Sequence, residues 1–381
     1  MTSSLYIHIP FCERKCIYCD FYSLENQSAM STYVDALLRE IYAYASYGEK
    51  TEFDTLFFGG GTPSLLSPPQ LEAILVSLAS TFLIRPDAEI TVEVNPGTVD
   101  EEKLSAYRAM GVNRLSIGIQ SFHDDELKFL GRIHNREEAL RCYWTARRVG
   151  FENISVDLIF SIPGQGLERW HANLEEAVAL GPEHLSVYSL IVEDGTPLSR
   201  MVDVKQIVQN PVEEEARQFE LAMSFLADHG FDHYEVSNYA KPGFRSRHNS
   251  NYWSHHNYLG FGPSAHSFWQ SASGQAARRW WNIASVTEYC ERILDRRLPI
   301  ASEEQLDAGQ LITEQVFLGL RSDGVQLRSL TKDFGFDLLD RQREMINHLV
   351  EEQLAIVQSE TLRLTPKGYL LCDEISERLL P

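Results

Sequence analysis

The sequence predicts an α/β protein: parallel strands joined by crossover helices, followed by a smaller, mainly helical unit. Two observations carry this. Six short apolar or β-branched runs alternate in strict order with segments whose apolar residues recur three and four apart. Such order favours parallel strands and right-handed crossovers. After Phe231 the alternation stops, and helical spacing returns only from about Asp307.

Strands are expected at 5–9, 55–58, 90–94, 114–119, 154–160 and 184–191, and helices at 30–45, 69–81, 99–110, 136–149, 167–180 and 212–229. Ser31, Ser67 and Thr98 read as helix caps, and Gly111 and Gly150 as helix stops. A closed eight-stranded barrel needs two further units, so a doubly wound sheet and an incomplete barrel both remain. In either, ligands collect at the carboxyl ends of the strands. There the sequence places Gly59-Gly60-Gly61-Thr62-Pro63, then Glu93 and Asn95, then Gln120, then Asp157.

Between about 231 and 305 aromatic residues such as Tyr234, Tyr252, Trp253, Trp280 and Trp281 crowd among Gly, Ser, Asn and His, which reads as a loop-rich connecting segment. Beyond it, helices are expected at 311–320, 327–334 and 338–352, then a hairpin over 355–364 around Glu360 and a last helix from Pro366. The domains so drawn are 1–230, 231–305 and 306–381. The last has a winged-helix outline, but its acidic helices (Asp337, Asp340, Glu344, Glu351, Glu352) suit packing or substrate covering better than nucleic acid.

Composition sets further bounds. With 54 acidic and 34 basic residues the net charge is -20, which excludes a general affinity for nucleic acid or anionic membrane and leaves only a basic strip at 241–247. Cys142, Cys290 and Cys372 are scattered singly, unlike a disulfide scaffold, so a reducing compartment is expected. No window approaches ~18 apolar residues and no leader precedes Cys12, so the chain reads as soluble and cytoplasmic.

Cys12, Cys16 and Cys19 follow the first strand at spacings that let three thiolates converge on one soft-metal centre. A structural zinc site wants four protein ligands, whereas three thiolates on an iron-sulfur cubane leave one iron open for chemistry. The glycine run lacks both the nucleotide-triphosphate ending and the dinucleotide spacing, so neither ATP nor NAD is favoured. His248-Asn249-Ser250-Asn251-Tyr252-Trp253 is either a buried turn or part of a site. Arg245 and Arg247 suit carboxylates, the flanking rings suit a flat conjugated ligand such as a porphyrin, and His255 and His256 are alternative ligands.

The cysteine triplet, with Tyr18 before its third member, resembles the signature of the radical S-adenosylmethionine superfamily. The run Tyr6 to Phe11, the Gly59 to Pro63 run and the series Glu93, Gln120, Arg132 and Asp157 look like oxygen-independent coproporphyrinogen III oxidase and its relatives. The resemblance implies an incomplete (βα)6 barrel with a [4Fe-4S] cluster on Cys12, Cys16 and Cys19. It implies S-adenosylmethionine contacts at Tyr6, Tyr18, Gly60, Gly61, Thr62, Glu93, Gln120, Arg132 and Asp157. The oxidase carries a further cysteine two places after the third ligand; here Phe21 stands there. The His248 to Trp253 run is similar to the His-Asn-x-x-Tyr-Trp motif of the haem chaperone HemW family. That likeness implies haem as cargo, His248 as a haem-associated residue, and delivery to haem-acceptor proteins, respiratory ones among them. A homodimer and membrane contact through a partner are compatible with it. The rivals are the porphyrinogen-decarboxylating enzyme and a zinc-stabilised nucleic-acid-binding module.

Overall fold

The computed structural model describes residues 3–48 and 51–380. Strands β1 (Ser3–Ile9), β2 (Glu52–Gly60), β3 (Leu83–Val94), β4 (Arg114–Gln120), β5 (Ile154–Phe160) and β6 (His184–Ser189) lie side by side in sequence order, and every neighbouring pair is parallel. Helices Met30–Ala43, Pro68–Thr81, Glu101–Ala109, Arg136–Arg148, Leu167–Leu180 and Val212–Asp228 follow the strands in turn. This is the expected six-unit layout. The sheet's two outermost strands are not paired with each other, so it is an incomplete barrel.

Alternation along the strands separates barrel from doubly wound sheet. Leu115, Ile117 and Ile119 of β4 and Ile154, Val156 and Leu158 of β5 pack into the main core. The intervening Ser116, Gly118, Gln120 and Asp157 line a cavity instead. One sheet face is therefore covered by helices and the other is polar, as in a barrel interior.

Caps follow their own chemistry. Ser67 and Gln70 form a capping box at Pro68–Thr81, and Gly111 and Gly150 follow helix ends at φ 99° and 93°, as expected. Ser31 and Thr98 do not cap. The first long helix begins at Met30 after Ala29, and Asp100, whose side chain accepts from the Lys103 amide, caps the helix at Glu101. Two short helices carried no periodic signal, Asp124–Leu130 and Pro197–Asp203.

The aromatic segment is not loop-rich. It contributes β7 (Asp232–Glu235) and β8 (Asn238–Ala240) beyond β6, and β9 (Tyr258–Phe261), β10 (His266–Gln270), β11 (Ala277–Asn282) and β12 (Ile300–Leu306) beyond β1. β9 runs parallel to β1, and β10 to β12 are antiparallel, giving twelve strands in all. Strands of three to seven residues broken by Gly, Pro and Ser are too short for periodicity to register. The rings fill the core: Trp280 is 1 % exposed, stacks on Tyr44 and donates its Nε1–H to the Tyr44 hydroxyl at 3.0 Å.

This junction also buries Glu40, whose carboxylate accepts from the Tyr289 hydroxyl (2.6 Å), the Asn282 amide (2.6 Å) and the Gly262 N–H (2.8 Å). Burial outweighs these donors and pushes the carboxyl up to about 7 from an ordinary 4.5. Between those values the folded chain binds a proton that the unfolded chain has lost, so stability falls as pH rises through the window and levels off above it. Glu40→Gln should lack this slope. From pH 5 to 8 wild type is expected to lose on the order of 3 kcal/mol more than the variant in chemical denaturation. Parallel pH profiles would show Glu40 to be ionised in the folded chain.

The C-terminal part has its own core, including Val316, Leu330, Leu349, Leu362 and Ile375. Helix Ala308–Leu320 precedes β13 (Val325–Gln326), which joins β14 (Ala355–Gln358) and β15 (Thr361–Leu364) in a three-stranded wing ordered β13-β15-β14. The hairpin turns at Ser359 and Glu360, both at positive φ. The helix expected over 338–352 is broken at Gln342 into Leu338–Arg341 and Arg343–Glu351.

Candidate functional site

A cavity of about 540 Å³ opens at the carboxyl ends of the parallel strands. The loop after β1 supplies Cys12, Cys16, Tyr18 and Cys19 to its wall, β2 and its glycine run supply Gly60, Gly61 and Thr62, and β3 to β5 supply Glu93, Gln120 and Asp157. Arg132, in the turn after Asp124–Leu130, completes it. Eleven of the thirteen residues singled out in the sequence therefore share one cavity; Tyr6 and His248 are the two that do not.

Glycine is required at Gly61 and gives room to two side chains at Gly118. A Cβ on Gly61 would stand 2.7 Å from the Phe11 carbonyl oxygen, so only glycine lets the end of β2 close against the cysteine loop, where the Gly61 N–H donates to Ile9 O at 2.9 Å. A Cβ on Gly118 would stand 2.8 Å from the Gln120 amide and 3.3 Å from Arg132 Nη2. The bare backbone there lets Arg132 Nη2 donate to the Gly118 carbonyl at 2.8 Å and to Asn95 Oδ1 at 2.6 Å.

Held in that way, Arg132 points Nη1 at Cys16 Sγ, 3.4 Å away, while the Thr62 hydroxyl donates to Cys12 Sγ at 3.6 Å. Donors aimed at sulfur suit thiolates that ligate a metal centre. Burial, with the neighbouring Cys16 and Cys12, pushes the Cys19 thiol up to about 11. Thiols so close together would ionise together only with a positive centre between them. Among the described residues no three His, Cys, Asp or Glu side chains are arranged around a single ion. A cubane is gripped at separate iron corners, so its thiolates stand farther apart than the ligands of one ion. The donor set fits such a cluster.

The other half of the cavity is acidic. Burial pushes the Glu93 carboxyl up to about 8, and the neighbouring Asp157 adds to the shift. Asp157 itself is raised by burial, although the Ser116 hydroxyl donates to its two oxygens at 3.0 and 3.1 Å and Ser155 donates at 3.2 Å. Two buried carboxyls facing an open cavity suit a cationic, hydroxyl-bearing ligand. Ser116, Gly118 and Tyr188 also line the cavity and were not singled out from the sequence, though the i, i+2 spacing of Ser116 and Gly118 with Gln120 marks them.

The two outliers lie behind this wall. Tyr6 faces a second cavity of about 330 Å³, with its hydroxyl 3.1 Å from His8 Nδ1. His248 is 1 % exposed; its Nδ1 lies 2.8 Å from the Thr55 hydroxyl, its Nε2 lies 3.1 Å from the Tyr252 hydroxyl, and its ring stacks on Phe57. Burial brings its pKa down to about 3. With both nitrogens engaged inside the barrel, His248 is a packing residue in this conformation and not an open ligand. Phe21 is 61 % exposed and belongs to the walls of both cavities.

Comparisons with known proteins agree with this geometry. The family model of the Radical SAM superfamily matches residues 6–177, and that of the HemN C-terminal domain matches residues 306–371. The solved structure of Escherichia coli coproporphyrinogen III oxidase (HemN) superposes with a TM-score of 0.84 at 23% identity, covering 100% of this chain and 90% of that one. At that identity the likeness speaks for the fold. The heme chaperone HemW of Bacillus subtilis is 36% identical over 98% of this chain and 97% of its own length. The Escherichia coli heme chaperone HemW is 41% identical over 69% of each chain. Similarity at this level along nearly the whole chain, on the HemN fold, shows that the chain belongs to the heme chaperone HemW family.

Proposed function

We propose that this protein binds haem and passes it to acceptor proteins, and that its barrel holds a [4Fe-4S] cluster and S-adenosylmethionine. The observation that carries the reading is the single cavity in which three cysteines face two buried carboxyls, in a chain similar along its length to heme chaperones. Cys12, Cys16 and Cys19 are the ligands proposed for the cluster. A cluster held by these residues would supply one-electron reduction to a bound S-adenosylmethionine.

The chain's own residues bind and orient. Glu93 and Asp157, both held above the ordinary carboxylate range by burial, would face the cationic groups of the cofactor and accept from its hydroxyls. Arg132 fixes Cys16 and the β4 edge together, and Thr62 fixes Cys12. Tyr18, Ile159 and Leu190 cover the cavity with apolar surface and keep water from it. Phe21 occupies the position where a decarboxylating relative has a further cysteine, which supports carriage over catalysis on a porphyrinogen. Respiratory acceptors fit this reading. Among the described residues no helix is long and apolar enough to cross a membrane.

Carrier and catalyst part in one experiment. The reconstituted, reduced protein is incubated without oxygen with haem and, in parallel, with coproporphyrinogen III. The expected result is a stable haem spectrum that transfers to an apo-acceptor, with no vinyl-bearing porphyrin. Vinyl product that depends on the cluster and on S-adenosylmethionine would make the protein an oxidase.

A further inference from the structure

The second cavity lies directly across Phe21 and Asp20 from the first. Its wall is aromatic, with Tyr6, Tyr22, Tyr252 and Tyr258 facing His266. We propose that a haem seats its edge in this cavity and that His266 ligates its iron, an inference that rests on the haem-carrier reading above.

Three observations bear on this. His266 opens β10 with its ring exposed and stacked on Trp281, 5.7 Å between centroids. Among the described residues neither of its ring nitrogens has a hydrogen-bond partner. The other histidine on this wall, His8, is engaged through both nitrogens, with Tyr6 at 3.1 Å and the Tyr22 carbonyl at 2.9 Å. Burial and the nearby Arg279 lower the pKa of His266, which keeps a lone pair available for iron at neutral pH. The phenol rings present flat surfaces to a conjugated ligand.

Position and charge fit a cargo. The cavity, at about 330 Å³, takes only part of a macrocycle and leaves an edge outside for an acceptor to grasp. Lys15 lines the first cavity, but its ammonium donates at 2.9 Å to the carbonyl of Phe21, which the two cavities share, and so suits an anionic propionate reaching across that residue. The ring would then be separated from the cysteine-lined cavity by Asp20 and Phe21. Cysteine at the Phe21 position would place a reactive thiol against the bound ring; phenylalanine places an inert face there.

The test is a titration of the anaerobically reconstituted protein with ferric haem, followed by its absorption bands. His266→Ala should weaken binding at least roughly tenfold and shift the bands, with added imidazole restoring the wild-type spectrum. His266→Phe keeps a ring on Trp281 without a nitrogen and should show the same loss, while both variants retain the cluster absorbance. Unchanged affinity and bands in both variants would overturn the assignment of His266 and leave the carrier reading standing. Wild-type protein that binds no haem would overturn both.

Discussion

Replacing Cys16 with alanine should leave a folded, colourless protein. After anaerobic reconstitution the wild type is expected to carry roughly four iron and four sulfide per chain, and Cys16→Ala close to none, with S-adenosylmethionine cleavage lost together with the cluster. The expectation comes from how little else Cys16 does. It sits partly exposed in the loop after β1, outside the hydrophobic core, where its thiol meets the Arg132 Nη1 donor at 3.4 Å and the Tyr18 hydroxyl. Arg132 keeps its bonds to Asn95 and Gly118 in the variant, so the cavity wall survives. Thermal unfolding of the two metal-free proteins should therefore agree. A variant that still binds its full complement of iron would take Cys16 out of the ligand set.

The second large effect concerns folding. Trp280→Ala should destabilise the protein by about 3 to 5 kcal/mol, the range for truncating a buried aromatic. It should also lose more than a packing cavity accounts for, because the buried Tyr44 hydroxyl is left without the indole donor. Tyr44 lies on the first long helix's C-terminal side and Trp280 on β11, so the pair ties the aromatic segment to the N-terminal unit. Trp281, on the opposite face and stacked on His266, serves as control: Trp281→Ala should cost far less in the same denaturant titration. Equal costs would mean that the segment is peripheral after all.

The barrel was legible because its strands are continuous apolar runs and its helices long enough for their spacing to show. Ile154–Phe160 and Leu167–Leu180 are found at the bounds read from sequence. The cysteine loop was legible for another reason, since three thiols so close together have few uses. Illegible were the elements whose identity depends on distant partners. β9 is four residues long and is a strand because β1 offers it an edge. For His248 the sequence shows an imidazole near cations, but not that Thr55 and Tyr252 lie within hydrogen-bond distance of its two nitrogens. His266 had no motif to mark it, because an unengaged ring is a property of its surroundings.

The pairing of Ser4 with Tyr258 has a consequence for how the chain is made. β1 is a central strand, with β2 on one edge and β9 on the other, yet the residues that complete it lie some 250 positions apart. Loop closure over such a distance is slow, so the N-terminal strand leaves the ribosome long before its second edge can be covered. The cysteines that follow it emerge at the same early stage. The order of synthesis thus leaves the cluster-binding loop accessible through most of translation, and the late arrival of β9 is what seals it into the sheet.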